Sequence, residues 1–256
     1  MENSPKAAAF FDLDNTMIRG ASLFHLARGL SKYNFFTLKE VFTFFWKQIK
    51  FVVAGKEHIS DMDSIRTLGL KIAAGKSIDE LDQIGDAVVD ENLMPKVFMQ
   101  TLELAQKHLA RGEQVWLVTA SPQRLASKLA TRLGLTGALG TIAGECDGVF
   151  TGELVGEPLH GAQKAVAITE LAKRENFDLA ACTAYSDSIY DVPMLSLVGT
   201  AVTVNADRRL RSMARKHGWK QYDFRKMRHA RKYGLGAFFA TCSAGFVALF
   251  KRSRDK

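Results

Sequence analysis

Four groups of residues in this 256-residue chain are of a type and spacing that could do chemistry. The first is Asp12-Leu13-Asp14, which closes the short apolar run begun at Ala7. Side chains alternate along a strand, so Asp12 and Asp14 start on one face while Leu13 points the other way. Two carboxylates held that close repel, and they persist where a cation lies between them or one holds a proton. The second group is Thr119-Ala120-Ser121-Pro122, directly after the apolar run Gln114–Val118. Ser followed by Pro predicts a helix start at Ser121-Pro122, which would aim unpaired N–H groups and a positive dipole end at Thr119. That is an anion site. The third is Lys164, on a helix predicted over His160–Lys173. The fourth is Asp187-Ser188-Ile189-Tyr190-Asp191, after the short apolar run Ala181–Tyr185. Singly, each has an ordinary explanation: a solvated turn, a helix cap, a surface lysine, or an acid complementing a helix dipole at Asp191.

Three of these groups follow short apolar runs without turn residues, the pattern of buried parallel strands that deliver their last residues to the carboxyl edge of a sheet. After Thr16 the alternation of strands and helices stops. From about Ala21 to Leu93 the pattern is helical, with Phe35, Leu38, Phe42, Phe45, Ile49 and Val52 forming one apolar stripe. This stripe suits a helix buried in a small bundle, and the alternative is contact with a hydrophobic substrate or a bilayer. Ile65–Ala74 and Ile78–Val89 are predicted as further helices. An amphipathic helix over Lys96–Ala110 restores the α/β rhythm. A hairpin is predicted from Thr141–Cys146 and Val149–Leu154 around Asp147-Gly148, and a last strand from Gly199–Val204.

Hydrophobic content of 47% and charged content of 24% are those of a globular protein able to bury a sizeable core. Cys146, Cys182 and Cys242 form no close pair, and the six histidines show no ligand spacing, which argues against a disulfide framework or a zinc site. The net charge of +8 is uneven: residues 206–256 hold fifteen Lys or Arg against three acids, so the rest of the chain is slightly acidic. Residues 1–6 are short and polar, without the apolar core of a signal peptide, and the expected location is the cytoplasm.

In their order and residue types the four groups resemble the motifs of the haloacid dehalogenase superfamily, over about residues 6–220. The closest pattern is that of its phosphoserine-phosphatase-like branch. The resemblance implies a Rossmann-like parallel sheet core (6–20 and 95–222) with an inserted α-helical cap of type 1 (21–94). It implies a phosphatase with Asp12 as nucleophile and Asp14 as general acid and base. Thr119, Ala120 and Lys164 would bind the phosphoryl group, and Mg²⁺ would be held by Asp12, Asp14 through its backbone carbonyl, Asp187 and Asp191. Lys164 would also keep Asp12 ionised, and Thr16 would fix the Asp12–Asp14 loop. The expected substrate is a small phosphomonoester, lipid-related or an amino-acid phosphate. Two departures qualify this. The glutamate with which phosphoserine phosphatases hold the substrate's amino group falls at about Ala21, and no acid occurs between Asp14 and Glu40. Ser186 and Tyr190 stand where that branch has Gly and Asn, and Tyr190 is bulky enough to narrow or re-aim the metal loop. The alternatives are phosphoserine phosphatase proper, a catalytically degenerate membrane-tethered scaffold, and a phospho-acceptor domain. The last has neither a long insertion after the acceptor strand nor a fourth acidic motif.

The remaining residues, 223–256, form a basic and apolar tail. Tyr233–Phe250 is an eighteen-residue stretch without charge, flanked by Arg231-Lys232 and Lys251-Arg252. As a helix it would rise about 27 Å, close to a bilayer's hydrocarbon thickness. The basic stretch Arg208–Lys232 suits an anionic leaflet. Attachment to an anionic membrane surface is the expectation, a helix packed back on the body the alternative, and no nucleic-acid partner is expected.

Overall fold

The computed structural model describes residues 6–35 and 73–225. At its centre is a six-stranded parallel sheet in the order β3-β2-β1-β6-β7-β8. Strand β1 (Ala8–Asp12) lies between β2 (Gln114–Pro122) and β6 (Thr183–Ser186), and all five of its residues are buried. Its apolar residues are therefore shared between two cores. Phe11 packs with the cluster on one face of the sheet and Phe10 with the cluster on the other. Phe11 stacks on Tyr185 of β6 at 4.1 Å between ring centroids, and Phe10 meets Phe177 edge-on at 6.3 Å. A strand covered on both sides needs no polar residue until it reaches the sheet edge, which is where Asp12 comes.

Helices close the connections. α1 (Ser22–Lys32) and α2 (Ile78–Val88) lie between β1 and β2 in sequence, with a π turn at Val89–Leu93, a 3₁₀ turn at Met94–Lys96 and α3 (Met99–Ala110) after them. Ser77 caps α2 by accepting from the Glu80 N–H, three residues on. Leu26, Leu30, Leu81 and Val88 from α1 and α2 join the cluster that contains Leu125 and Leu129 of α4 (Gln123–Arg132). The aromatic stripe beyond Phe35 and the helix expected at Ile65–Ala74 lie outside the described residues but for Ala73 and Ala74.

Three local expectations are corrected. The helix after β2 begins at Gln123, not at Ser121-Pro122, because β2 runs on to Pro122 and pairs there with Thr141. Between Val118 and Pro122 the register shifts, and the Gln123 amide fills the gap in the ladder, donating to the Ala138 carbonyl (2.9 Å) and accepting from the Gly140 N–H (2.6 Å). A side chain at Gly140 would stand 2.8 Å from the Gln123 Cα and the Ser121 carbonyl, so this corner admits only glycine. Second, the first hairpin arm is shorter than expected. β4 (Ala143–Cys146) pairs with β5 (Val149–Leu154) around Asp147 and Gly148, both at positive φ, while Thr141 ends β3 (Gly137–Thr141) in the main sheet. Two glycines in β3 hid it, since glycine weakens any strand signal.

Third, the early part of the basic stretch belongs to the body. After β7 (Thr200–Val204), residues Arg208–His217 form a helix that buries Leu210 and Ala214, and Lys220–Tyr222 forms β8, the sheet's last strand. Its charges sit on the outer face of a packed amphipathic helix. After β6, a 3₁₀ turn at Ile189–Asp191 leads into the short helix Val192–Leu197, with Asp191 at its N-cap. The helix carrying Lys164 runs Ala162–Glu175, entered through Gly161 at φ +57°. Among the described residues no helix is long and apolar enough to cross a membrane. Residues 233–250 lie outside them.

Candidate active site

The carboxyl ends of β1, β2 and β6 are adjacent in the sheet, so the residues that follow them share one edge. Asp12 is 6% exposed, Lys164 3% and Asp191 2%. The Lys164 ammonium, brought across by its helix, donates to Asp12 Oδ1 at 2.6 Å and to Asp191 Oδ2 at 2.8 Å. Residues 152 positions apart in sequence thus meet in one buried ionic cluster. Burial alone would lower the lysine's pKa, but the two carboxylates hold it above its ordinary value, so the group is a fixed positive charge.

Asp14 is half-buried beyond the strand end, where Asn15 takes a positive φ and the Met17 and Ile18 N–H groups both return to the Leu13 carbonyl. Its Oδ1 accepts from the Ser22 N–H at 2.8 Å, in the first turn of α1. Burial raises its pKa against the hydrogen bonds from Ser22, which favours a carboxyl able to hold and return a proton. Thr119 is buried, and its Oγ1 accepts from the Ser121 N–H at 3.1 Å, leaving the hydroxyl hydrogen for an acceptor in the site. Ala120 is exposed on the same loop, its carbonyl bound by Thr141 Oγ1 at 2.9 Å. Thr16 is buried, but its hydroxyl has no hydrogen-bond partner among the described residues, so it does not tie the Asp loop in the expected way.

Asp187 is half-buried, and burial first, then the charges of Asp12, Asp191 and Asp14, push its carboxyl up to about 8 against the pull of Lys164. Burial likewise pushes Asp12 up to about 7 in spite of Lys164. Four carboxylates around one ammonium leave an excess of negative charge, and a divalent cation fits that excess. Among the described residues no three His, Cys, Asp or Glu side chains converge as a ready ligand set. Asp191 and one oxygen of Asp12 are committed to Lys164. The donors left are Asp12 Oδ2, Asp187 and main-chain carbonyls, which suits a hard ion that keeps several waters, as Mg²⁺ does.

Several residues take parts that the residue pattern did not show. Ser186, at the place expected for Gly, donates to Asp191 Oδ2 at 2.7 Å and accepts from the Ser188 N–H at 3.1 Å. Tyr190 is 52% exposed with its ring 5.6 Å from that of His160, so its bulk is taken up at the surface. Ser121 Oγ meets Ser22 Oγ at 2.5 Å. Asn205 and Asp207 brace the loops through the Asn15 carbonyl and the Ile189 N–H. Asp207 had a readable cue as an N-cap before the Leu210 and Ala214 spacing, but the density of positive charge there suggested a tail instead.

Comparison with known proteins agrees with this geometry. The family model for haloacid dehalogenase-like hydrolases matches residues 9–196. The chain belongs to that family. It is 51% identical over 252 residues to the phosphoserine phosphatase SerB1 of Mycobacterium tuberculosis, covering 98% of this chain and 82% of that protein. A probable phosphatase of the same organism is 36% identical over 219 residues, 86% of this chain and 76% of that one. Among solved structures, a Bordetella pertussis protein of unknown function superposes with a TM-score of 0.76 at 24% identity, over 86% of this chain and 99% of that one. A substrate-bound phosphoserine phosphatase gives 0.60 at 18% identity, over 90% and 99%, a likeness of fold. With this family and these relatives the chain is a HAD-type phosphatase.

Proposed function

We propose that the protein hydrolyses a small phosphomonoester through a phosphorylated Asp12, with Mg²⁺ as cofactor, in a catalytic core (6–20 and 95–222) gated by an inserted helical cap (21–94). The observation that carries this is the buried contact of Lys164 with both Asp12 and Asp191, at the edge where Thr119, Asp14 and Asp187 also gather. Phosphate monoesters hydrolyse extremely slowly uncatalysed, so the site must lower a very large barrier. Asp12, ionised, attacks phosphorus in line with the ester oxygen; the new O–P bond forms as the ester P–O bond breaks. Asp14, protonated, gives its hydrogen to the departing alkoxide. Water then attacks the aspartyl-phosphate, its proton goes to Asp14, and inorganic phosphate leaves with Asp12 restored. Thr119, the N–H groups of its loop including that of Ala120, and Lys164 stabilise the charge spread over the phosphoryl oxygens. Mg²⁺, held by Asp12, Asp187 and the Asp14 main-chain carbonyl, would neutralise phosphoryl charge and keep Asp12 deprotonated; Asp191 orients that set through Lys164 and Ser186.

The name of the 51%-identical relative supports phosphoserine as substrate. Against an ammonium-bearing substrate stands Ala21, exposed at the N-cap of α1, with no acid in that helix's first turn. A screen over phosphoserine and sugar, nucleotide and lysolipid phosphates separates these. The eighteen uncharged residues 233–250 support attachment of a cytoplasmic enzyme to an anionic membrane, and fractionation with and without residues 233–256 tests it. For the mechanism, Asp12→Asn should lower kcat on an aryl phosphate by on the order of 10⁴-fold or more. Wild-type turnover in that variant defeats the proposal.

A further inference from the structure

The strand that ends between the catalytic loops and the C-terminal segment is β7, and it is followed by Asn205-Ala206-Asp207. Asn205 is 1% exposed and takes φ +55°. Its Nδ2 donates to the Asn15 carbonyl at 2.8 Å, on the loop that carries Asp12 and Asp14. Its Oδ1 accepts from the Phe224 N–H at 2.8 Å. A carbonyl on one side and an N–H on the other leave one orientation for the amide. Two residues on, the Asp207 N–H donates to the Asp187 carbonyl at 2.9 Å, and Asp207 Oδ2 accepts from the Ile189 N–H at 3.1 Å. Asp207 Oδ1 caps the following helix by accepting from the Leu210 N–H at 2.7 Å. Between them the Ala206 carbonyl is pinned by Arg211 and Arg225, at 3.0 and 3.1 Å.

Resting on the Mg²⁺-phosphatase reading above, we infer that Asn205 and Asp207 are positioning residues: together they clip the Asp12–Asp14 loop and the Asp187 loop to one strand end and set the spacing of the carboxylates that receive the cation. Asn205 holds one loop, Asp207 holds both flanks of the other, and the rigid tripeptide fixes the separation. Neither touches substrate. A helix cap alone would need only the Leu210 bond; the two bonds to Asp187 and Ile189 serve the loop. Positive φ at Asn205 explains the choice of Asn there, since its short amide tolerates the left-handed region and reaches both neighbours.

The test uses the full-length protein and reads Mg²⁺ half-saturation in two ways, from the rise in melting temperature and from turnover of an aryl phosphate. Asp207→Ser keeps one short oxygen for the Leu210 cap and has no second acceptor for the Ile189 N–H, so it breaks the loop bond. Asn205→Gly removes the amide while tolerating the backbone angle. Ser77→Ala, which loses a distant helix cap, is the control for general destabilisation. Both clip variants are expected to need about 10- to 100-fold more Mg²⁺ by either readout, with kcat at saturating Mg²⁺ within about threefold of wild type, while the control keeps wild-type half-saturation. Clip variants that melt lower with unchanged half-saturation overturn the inference, leaving them structural only. Should Asn205→Gly fail to fold, Asn205→Asp, which keeps the Phe224 acceptor and loses the donor, carries the same expectation. Wild-type protein indifferent to Mg²⁺ in both readouts overturns the underlying reading, and the inference with it.

Discussion

Ser22 Oγ and Ser121 Oγ lie 2.5 Å apart, a buried contact that joins the first turn of α1 to the carboxyl end of β2. The Ser22 N–H holds Asp14 at the same time, so one residue links the Asp14 carboxyl to the segment that carries Thr119. Ser121→Ala should leave the Ser22 hydroxyl without its partner and cost about 1–3 kcal/mol in urea unfolding. Ser22→Ala keeps the backbone bond to Asp14, and its kcat should fall by less than about tenfold. A large loss of kcat in Ser22→Ala would separate the hydroxyl's role from mere packing.

Lys164 is the second position with a sharp expectation. Lys164→Met removes the one ammonium between Asp12 and Asp191 and should lower kcat by about 10²- to 10³-fold. Lys164→Arg should not restore it, because a planar fork cannot replace a point charge confined between two carboxylates. Retained activity in either variant would show that the contact is not part of the chemistry.

His108 gives a pH-dependent expectation away from the site. It is buried, with Nε2 2.7 Å from Tyr185 Oη and Nδ1 facing Glu113 and Arg111. Burial holds its pKa below the ordinary 6.5, against the pull of Glu113. The fold therefore favours neutral His108, and its contribution is full above pH 6.5 and lost as pH falls through the lower folded value. Melting temperature measured from about pH 7.5 down to about pH 5 should drop less steeply in His108→Gln than in wild type. Parallel slopes would mean that other groups set the acid limb.

Gly199 supplies a test of the sheet edge. A Cβ there would stand 1.8 Å from the Ala180 carbonyl oxygen, so Gly199→Ala forces the β6 approach apart. A loss of about 1–3 kcal/mol by denaturant unfolding is expected, with Mg²⁺ half-saturation unchanged.

The sheet's central strands were legible because burial on both faces writes itself as an uninterrupted apolar run, and each such run ended in a chemically unusual residue. Asp12, Asp14, Thr119, Asp187 and Asp191 could be named from that, while Lys164, on a helix, stood out only through the motif order that the family resemblance completes. What escaped was set by backbone approach and by side chains acting on main-chain groups. β3 contains two glycines and reads as a loop. Ser121 resembled a cap, yet it sits in a strand whose irregular register is completed by Gln123. Arg208–His217 reads as an arm for anions because seven of its ten residues are polar or charged, and only the spacing of Leu210 and Ala214 reveals the buried side. No pattern of residue types shows that Asn205 reaches Asn15, since that bond spans 190 positions and depends on the strand order.

The interface of α2 with α4 carries a further expectation. Arg124, Lys128 and Arg132 recur every fourth residue and face Asp82, Asp86 and Asp90, spaced in the same way. All of these side chains are partly exposed, so neutralising one, as in Arg132→Ala, should cost no more than about 1 kcal/mol and less in high salt.

Repetition of that spacing has a mechanical outcome. Arg132 also reaches Asp86 at 3.2 Å, and Lys128 lies 4.0 Å from Asp82, so two of the three bases already touch an acid one turn away from their main partner, while Arg124 turns its second side to Glu145 at 2.7 Å. Were α2 to slide along α4 by one turn, about 5.4 Å, most bases would exchange acids and few would lose one. The charges are matched like the teeth of a rack and by themselves prefer no notch, so the register is set by the apolar cluster that Leu81 and Val88 share with Leu125 and Leu129.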